Sequence, residues 1–138
     1  MEKERDYTFR RGDICWYTDP AYREDGSFIV GGTRSVVIVS HDKANESSGT
    51  VLVAPTVTNS QKRCYPSQVV VNVNGRERRI RCEQIRVVEK TCLETPCMTL
   101  DQEAMEAVDR AVANAFGLEY LLPEPEPVMK TVGLVKNY

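Results

Sequence analysis

The residues of this chain best suited to chemistry lie around one arginine. Arg34 follows the glycine pair at 31–32, with Thr33 between, and precedes the apolar run "VVIV". Glycines let the backbone of a ligand approach closely, and a buried strand behind the arginine would fix its position. A guanidinium suits a phosphate because its planar donors can bind two oxygens at once. Arg34 is therefore a candidate phosphate ligand, with an ordinary surface arginine as the alternative.

Two further polar stretches could supply partners for Arg34. These are "TVTNSQKR" at 56–63, which ends an apolar strand, and "CEQIR" at 82–86. Two other kinds of site are not indicated. A nucleotide-binding phosphate loop is not indicated, because the chain has no glycine-rich loop of that pattern. Catalysis by histidine is not indicated, because the only histidine, His41, falls in a polar turn. The cysteines have no base near them in sequence, so a thiolate nucleophile is not indicated.

The composition indicates one folded domain. The 138 residues are 41% hydrophobic, which excludes a disordered chain. No signal peptide and no apolar stretch long enough to cross a membrane is visible, so we expect a cytoplasmic protein. Five cysteines without a Cys-x-x-Cys pair predict free thiols and no zinc site. We expect no cofactor.

Charge is unevenly distributed along the chain. The net charge of −2 argues against a protein that coats nucleic acid indiscriminately. One stretch is nevertheless basic, and its cations are Lys62, Arg63, Arg76, Arg78, Arg79 and Arg81. After Arg86 the chain becomes acidic. The basic stretch is either a selective anion-binding patch or a solvated strand face.

The elements that must position these residues are mostly strands. Runs of β-forming residues predict strands at 13–19, 34–40, 50–58, 67–73, 76–82 and 83–89. Residues 20–32 form a long loop and 41–49 a turn, while Pro55 indicates an edge strand or a bulge. Asn74-Gly75 predicts a type I′ hairpin. Short antiparallel strands of this kind imply a small barrel or curled sheet.

One helix follows the strands. Thr99 and Gln102 form a capping box, and Gly117 is suited to the C-terminal cap. An apolar face at helical spacing is formed by Met105, Val108, Val112, Ala115 and Phe116. The helix should pack on the core. The proline-rich end of the chain favours an extended segment, with a small strand or a loose end after it.

The chain resembles the MazF/PemK family of toxin endoribonucleases. The matching pieces, in the order of the family, are "RRGDICWYTD", "GGTRSVVIVSHDKAN", "TVLVAPTVTNSQKRCYPSQVVV", "IRCEQIRVVEK" and "LDQEAMEAVDRAVANAFGL". The resemblance implies a toxin domain at 9–118, followed by a proline-rich tail at 119–138. It implies a mainly β fold with a C-terminal helix, that is, a small SH3-like barrel of the CcdB/MazF type. It also implies a homodimer that cleaves single-stranded RNA, with a MazE-like antitoxin as partner.

The resemblance assigns roles to particular residues. Arg34 matches the catalytic arginine of the family, and Thr58 best matches its catalytic hydroxyl, with Thr56 as the alternative. Thr56 follows Pro55 and is expected to be a buried hydroxyl bonded to backbone. The implied RNA-binding residues are Gly32, Asn59, Lys62, Arg63, Glu83 and Gln84. This scheme uses no metal.

The chain departs from the family in two places near Arg34. Ser35 replaces the usual proline, and Phe28-Ile29-Val30 replaces the Ser-Glu-Gln that many relatives carry before the glycines. A role of that glutamate would be lost or would move to Glu24 or Asp25. Two rival functions stay open: a non-catalytic CcdB-like toxin or binding module, and a hydrolase that uses a cysteine.

Overall fold

The computed structural model describes residues 8–19, 32–58, 63–124 and 135–137. The strands are β1 Asp13–Thr18, β2 Thr33–Ile38, β3 Thr50–Thr58, β4 Gln68–Val73, β5 Arg76–Arg81, β6 Arg86–Glu89, β7 Met98–Leu100 and β8 Val135–Asn137. The helices are α1 Asp42–Ser47 and α2 Gln102–Ala115. Short 3-10 helices cover Cys82–Gln84, Lys90–Cys92 and Glu119–Leu121. None of the helices in these ranges is long and apolar enough to cross a membrane.

All the strands join one curled antiparallel sheet. Their order is β4-β5-β3-β2-β1-β7-β8, and β6 pairs with the first half of β3. The core lies on both sides of the central strands, because successive side chains point to opposite faces. Ile14 and Val37 belong to the cluster that α2 covers through Val108, while Cys15 and Val36 belong to the cluster on the other face. The prediction of a mainly β fold with a C-terminal helix is confirmed.

Pro55 lies at the point where β3 changes partners. On one side β3 pairs with β2 through Val36↔Pro55. On the other side residues 50–53 pair with β6 and residues 56–58 pair with β5. A proline has no N–H for a ladder, so it fits the gap between these two pairings. The edge-strand alternative was wrong, since β3 is paired on both sides.

The hairpin between β4 and β5 follows the sequence prediction. Asn74 and Gly75 have φ values of 52° and 81°. Two consecutive residues with positive φ define the type I′ turn, which asparagine and glycine tolerate best. This turn fixes the register of β5 against β4, and with it the side of the sheet on which each arginine of β5 lies.

Three expectations about local structure were wrong. Residues 41–49 contain α1 instead of a plain turn, because the Nδ1 atom of His41 accepts a hydrogen bond from the N–H of Lys43 and caps the helix. The segment 83–89 is a 3-10 turn followed by β6 and is not a single strand. The cap of α2 is Asp101, whose carboxylate accepts from the N–H of Ala104, while Thr99 lies in β7.

The helix α2 otherwise matches its prediction in type and position. Gly117 has a φ of 72°, as a C-terminal cap requires. The buried stripe is formed by Ala104, Val108 and Ala111. Phe116 was expected on this stripe, but it lies just past the helix and is 64% exposed.

Candidate active site at one end of the sheet

Arg34 lies near the start of β2, at one end of the sheet. It pairs with Tyr17 of β1 and is half-buried. Tyr17 in turn lies under the guanidinium of Arg86, 5.3 Å from the ring centre. Burial raises the pKa of Tyr17, and the charge of Asp19 raises it further. Tyr17 is therefore kept neutral beside two arginines at neutral pH.

Thr56 is a buried hydroxyl in β3 with several hydrogen-bond partners. It is 3% exposed and donates to the backbone oxygen of Ser35 at 3.1 Å. Its oxygen also lies 2.5 Å from the hydroxyl of Ser35 and accepts from Nη2 of Arg78 at 3.0 Å. The expectation of a buried hydroxyl bonded to backbone is confirmed.

Thr58 ends the same strand and is exposed. Its hydroxyl oxygen accepts a hydrogen bond from Nη1 of Arg78 at 3.1 Å. One guanidinium therefore binds the hydroxyls of Thr56 and Thr58 together. As an acceptor toward a cation, the hydroxyl of Thr58 becomes a better donor toward a further ligand.

Strand pairing places these threonines and Arg34 on different faces of the sheet. The hydroxyl contact between Ser35 and Thr56 shows that these two residues share one face. Arg34 precedes Ser35 in the strand, so its side chain starts on the other face. Thr58 nevertheless ends β3 at the end of the sheet where β2 begins, because the two strands are antiparallel. Arg34 and Thr58 therefore lie at the same end of the sheet, with side chains that start on opposite faces.

Arg78 is the site residue that the sequence interpretation did not select. Its pKa is lowered by burial, and further by the positive charges of Arg34 and Arg76. The guanidinium groups therefore lie close enough to repel one another. A cluster of like charges is typical of a site that binds an anion. The alternation of "RERRIR" could have shown that Arg76 and Arg78 share a face, but not that this face meets Thr58.

The other implied RNA-binding residues fall into two groups. Asn59 and Lys62 lie outside the described residues. Gly32 has a φ of 78°, and its carbonyl accepts from the N–H of Asp19 at 3.3 Å. Arg63 is exposed and its guanidinium lies 5.2 Å from the ring centre of Tyr65.

Glu83 lies in the 3-10 helix at 82–84, where its carboxylate is held by three donors. It accepts from Arg81 at 2.8 Å, from Gln68 at 2.9 Å and from Ser67 at 3.2 Å. Burial alone would raise its pKa, but the hydrogen bonds from Arg81 and Gln68 outweigh burial and lower it. The carboxylate is thus part of a structural network. Gln84, beside it, is half-buried.

This network continues to the loop that carries Arg63. The buried side chain of Arg79 donates to Oε1 of Gln68 and to the carbonyl of Arg63, both at 2.7 Å. Gln68 joins Arg79 to Glu83 because its amide accepts from one and donates to the other. The segment after residue 62 is therefore fastened to the 3-10 helix through a continuous chain of hydrogen bonds.

A cavity of about 280 Å³ opens on the face of Thr56 and Arg78. Its apolar walls include Trp16, Val37, Val73, Ile80 and Met98. Its polar residues are Ser35, Thr56, Asn74, Arg76 and Arg78. Trp16 is the only tryptophan of the chain and is 45% exposed. The cavity combines an apolar interior with cationic groups.

The cysteines show no sign of an activated thiol. All five are free, as predicted. Burial raises the pKa of Cys82 to about 12, with the charges of Glu83 and Asp109 adding to the effect. Burial also raises the pKa of Cys97. A raised pKa removes the thiolate that a cysteine nucleophile needs, so neither of these two residues suits a cysteine hydrolase.

Comparisons with known proteins identify relatives of the chain. The model of a family described as "PemK-like, MazF-like toxin of type II toxin-antitoxin system" matches residues 10–116. The chain is 32% identical over 117 residues to "Endoribonuclease EndoA" of Bacillus subtilis (strain 168). That alignment covers 79% of this chain and 95% of the relative.

Solved structures share the fold. "Endoribonuclease in complex with its cognate antitoxin from Mycobacterial species" matches with a TM-score of 0.64 and 21% identity, over 84% of this chain and 98% of the other. "MazF (Form-I) from Deinococcus radiodurans" matches with a TM-score of 0.65 and 17% identity, over 81% and 99%. At these identities the likeness concerns the fold, and it confirms the expected MazF-type architecture.

Proposed function

Because the chain belongs to the family of PemK-like, MazF-like toxins of type II toxin-antitoxin systems, we propose that it is an endoribonuclease that cleaves single-stranded RNA. The observation that carries this proposal is the position of Arg34, Thr58 and Arg78 at one end of the sheet. The identity of 32% to an endoribonuclease favours RNA cleavage over a non-catalytic CcdB-like toxin.

The reaction is transesterification by the 2′-hydroxyl of the RNA. The 2′-oxygen bonds to phosphorus while the bond to the 5′-oxygen breaks, which leaves a 2′,3′-cyclic phosphate and a 5′-hydroxyl. One proton leaves the 2′-oxygen and one reaches the 5′-oxygen. Negative charge grows on the phosphate in between, and this is the charge that the protein must stabilise. Metal ions are not needed for this scheme.

Arg34 and Thr58 are the proposed catalytic residues. An arginine stays protonated at neutral pH, since its pKa exceeds ~12, so Arg34 binds the phosphate and does not act as a base. A donor of this kind is worth about 10²–10³ in rate. Thr58 donates its hydroxyl to a phosphate oxygen, or to the 2′-oxygen, while Arg78 holds the hydroxyl from behind.

The remaining implied residues contact the rest of the RNA strand. Lys62 and Arg63 guide the phosphate backbone, and Gly32 allows its close approach. Asn59 and Gln84 read base edges of an unstacked strand. Glu83 was given the same role from the sequence; its three hydrogen bonds favour a role in holding the loop of Arg63.

The proposed assembly and location follow from the family. We expect a homodimer of about 31 kDa, twice the 15.6 kDa of one chain, with "CEQIR" at the two-fold interface. A MazE-like antitoxin would neutralise the toxin by occupying the RNA groove. Its substrate RNA places it in the cytoplasm. Light scattering at micromolar concentration tests the assembly, and a monomer alone would contradict it.

The experiment that tests the function is incubation of the purified protein with single-stranded RNA in EDTA. We expect cleavage at defined sequences, with 2′,3′-cyclic phosphate ends. Arg34→Ala should abolish cleavage with an unchanged melting temperature, because the residue stabilises charge in the transition state. Intact RNA together with inhibited DNA supercoiling would favour the CcdB-like alternative instead. Cleavage by Arg34→Ala at the wild-type rate would remove Arg34 from the mechanism.

A further inference from the structure

The cavity that Arg78 lines has one aromatic residue and several aliphatic residues in its wall. The aromatic residue is Trp16, which is partly open to solvent. Val37, Val73 and Ile80 are among the aliphatic residues. At about 280 Å³ the cavity is near the lower end of the range of small-ligand sites, which begins at roughly 300 Å³. A cavity of this size can hold a planar base.

Two of the polar residues that line the cavity are arginines. Arg76 and Arg78 both line it, two positions apart on β5. Among the residues that the structure describes, no carboxylate forms an ion pair with either guanidinium. Glu77 lies between them in sequence and therefore points to the opposite face of the strand. Two neighbouring guanidinium groups of this kind suit an anionic ligand.

Two threonines fix the direction of Arg78. Its Nη1 donates to Thr58 and its Nη2 donates to Thr56. These two hydrogen bonds hold the guanidinium in one orientation. A held guanidinium loses little conformational entropy on binding a phosphate. Because Thr58 is bonded to it directly, a phosphate on Arg78 would neighbour a phosphate on Thr58.

We propose that this cavity is a nucleotide subsite of the RNA groove, which takes up one unstacked base beside Trp16 and binds its phosphate with Arg78 and Arg76. The base lies against the indole ring, as bases of single strands do on aromatic platforms. Asn74, in the β4–β5 turn at the cavity, offers an amide to the base edge. The subsite selects the base next to the cleaved phosphate. This inference deepens the proposed endoribonuclease function.

A peptide is the less suitable occupant. An acidic, leucine-rich peptide could satisfy the arginines and the aliphatic wall. Such a peptide has no planar ring to pack on Trp16, whereas a base provides both a flat ring and hydrogen-bonding edges for Asn74. Charge, planarity and hydrogen-bonding edges together favour the nucleotide.

The single tryptophan makes the subsite directly observable. Each of the four ribonucleoside 5′-monophosphates is titrated into the full-length protein while the fluorescence of Trp16 is recorded. Nucleosides without phosphate and an acidic, leucine-rich peptide serve as comparison probes. We expect at least one nucleotide to quench the fluorescence, and its nucleoside to bind about tenfold more weakly or worse.

Four variants separate binding from folding. Arg78→Gln and Arg76→Gln should each weaken nucleotide binding, by about tenfold for Arg78. Arg10→Gln is the matched control, since Arg10 is exposed and outside the cavity. Arg78→Lys keeps the charge without the double contact to the threonines, and should bind with intermediate affinity. Melting temperatures of all four variants establish that they are folded.

Base selection gives a readout that a structural role would not change. The 5′ ends of a mixed RNA pool cut by each protein are sequenced. Trp16→Leu should relax the preference at one position beside the cut, while a purely structural defect would lower all cuts equally. Relaxed preference at one position supports the subsite, and uniform loss contradicts it.

The possible failures are distinguishable. If the wild-type protein cuts RNA but no nucleotide quenches Trp16, or the peptide alone quenches it, the subsite is wrong and the proposed function stands. Quenching that is equal in wild type, Arg76→Gln and Arg78→Gln also overturns the subsite. If nucleotides bind in a manner that depends on Arg78 but RNA stays intact, the nucleotide site stands and the endoribonuclease function fails.

Discussion

The two faces of β5 carry the same residue type in opposite circumstances. On one face, Arg79 is 2% exposed and bonded to Gln68 and to the loop at Arg63, while Arg81 pairs with Glu83. On the other face, Arg76 and Arg78 line a cavity and repel each other. The arginines of one face are bonded to other parts of the protein, and those of the other face line the cavity that we propose binds a nucleotide.

The difference teaches that a basic run in a strand is not one feature. The period of two separates "RERRIR" into arginines bonded to the network around Gln68 and Glu83, and arginines that line a cavity, of which Arg78 is bonded to two threonine hydroxyls. The two alternatives raised by the sequence, an anion-binding patch and a solvated strand face, therefore both fail to describe the whole run. Arg79 is neither part of an anion-binding patch nor part of a solvated strand face, because its side chain is buried and bonded within the protein.

The largest expected effect is on stability and concerns Arg79. Arg79→Met should lower the free energy of unfolding by about 3 kcal/mol, because the side chain of Gln68 and the carbonyl of Arg63 lose a buried donor. Arg78→Met should cost less than about 1 kcal/mol, since Thr56 keeps its bonds to Ser35. Urea denaturation measures both. Equal losses would remove the distinction between the two faces.

A smaller effect separates the two threonines that Arg78 binds. Thr58→Val should slow RNA cleavage by at least about tenfold, or ~1.4 kcal/mol in the barrier, with little change in stability. Thr56→Val should instead lower the free energy of unfolding by about 1–2 kcal/mol, because the bonds to Ser35 are lost. Single-turnover rates and urea midpoints test the pair together. The reverse order would assign the catalytic hydroxyl to Thr56.

The smallest effect is a change in acid stability through Glu83. Its folded-state pKa lies below the ordinary value of 4.5, so the stability it contributes is present above pH 4.5. That contribution is lost as the pH falls through the lowered folded-state value. Glu83→Gln should therefore flatten the loss of stability below pH 4.5, while Glu46→Gln on the exposed side of α1 should not. An unchanged acid profile in Glu83→Gln would show that the network does not depend on charge.

Most of the fold could be predicted because its signals are local. The apolar run after Arg34, the Asn74-Gly75 turn and the glycine at 117 each act within a few residues. Two of the wrong predictions concern the residue that caps the N-terminus of a helix. Both Thr99 and Asp101 could start α2, and pairing of Thr99 with Asp13 of β1 decides for Asp101. Likewise His41 caps α1 within a stretch whose composition favours a turn.

A residue of the candidate site could be selected from the sequence only where its own neighbours in the chain distinguish it. Arg34 stands out by its glycines and its resemblance to the family. The contribution of Arg78 arises from the pairing Thr58↔Arg78, which joins strands 20 residues apart and has no local signature. The hydrogen bonds of Glu83 to Arg81 and Gln68 were also not predictable, because Gln68 lies 15 residues away in sequence and has no local signal that points to Glu83.

The pairing of β1 with β7 has a consequence for synthesis of the toxin. The first strand of the sheet is completed by Thr99 and Met98, and the cluster at Ile14 is covered by α2. A nascent chain that ends before residue 98 contains β2 and β3. It lacks α2, which covers the core beside these strands. The core beside β2 and β3 is therefore closed only after residues 98–115 have been synthesised.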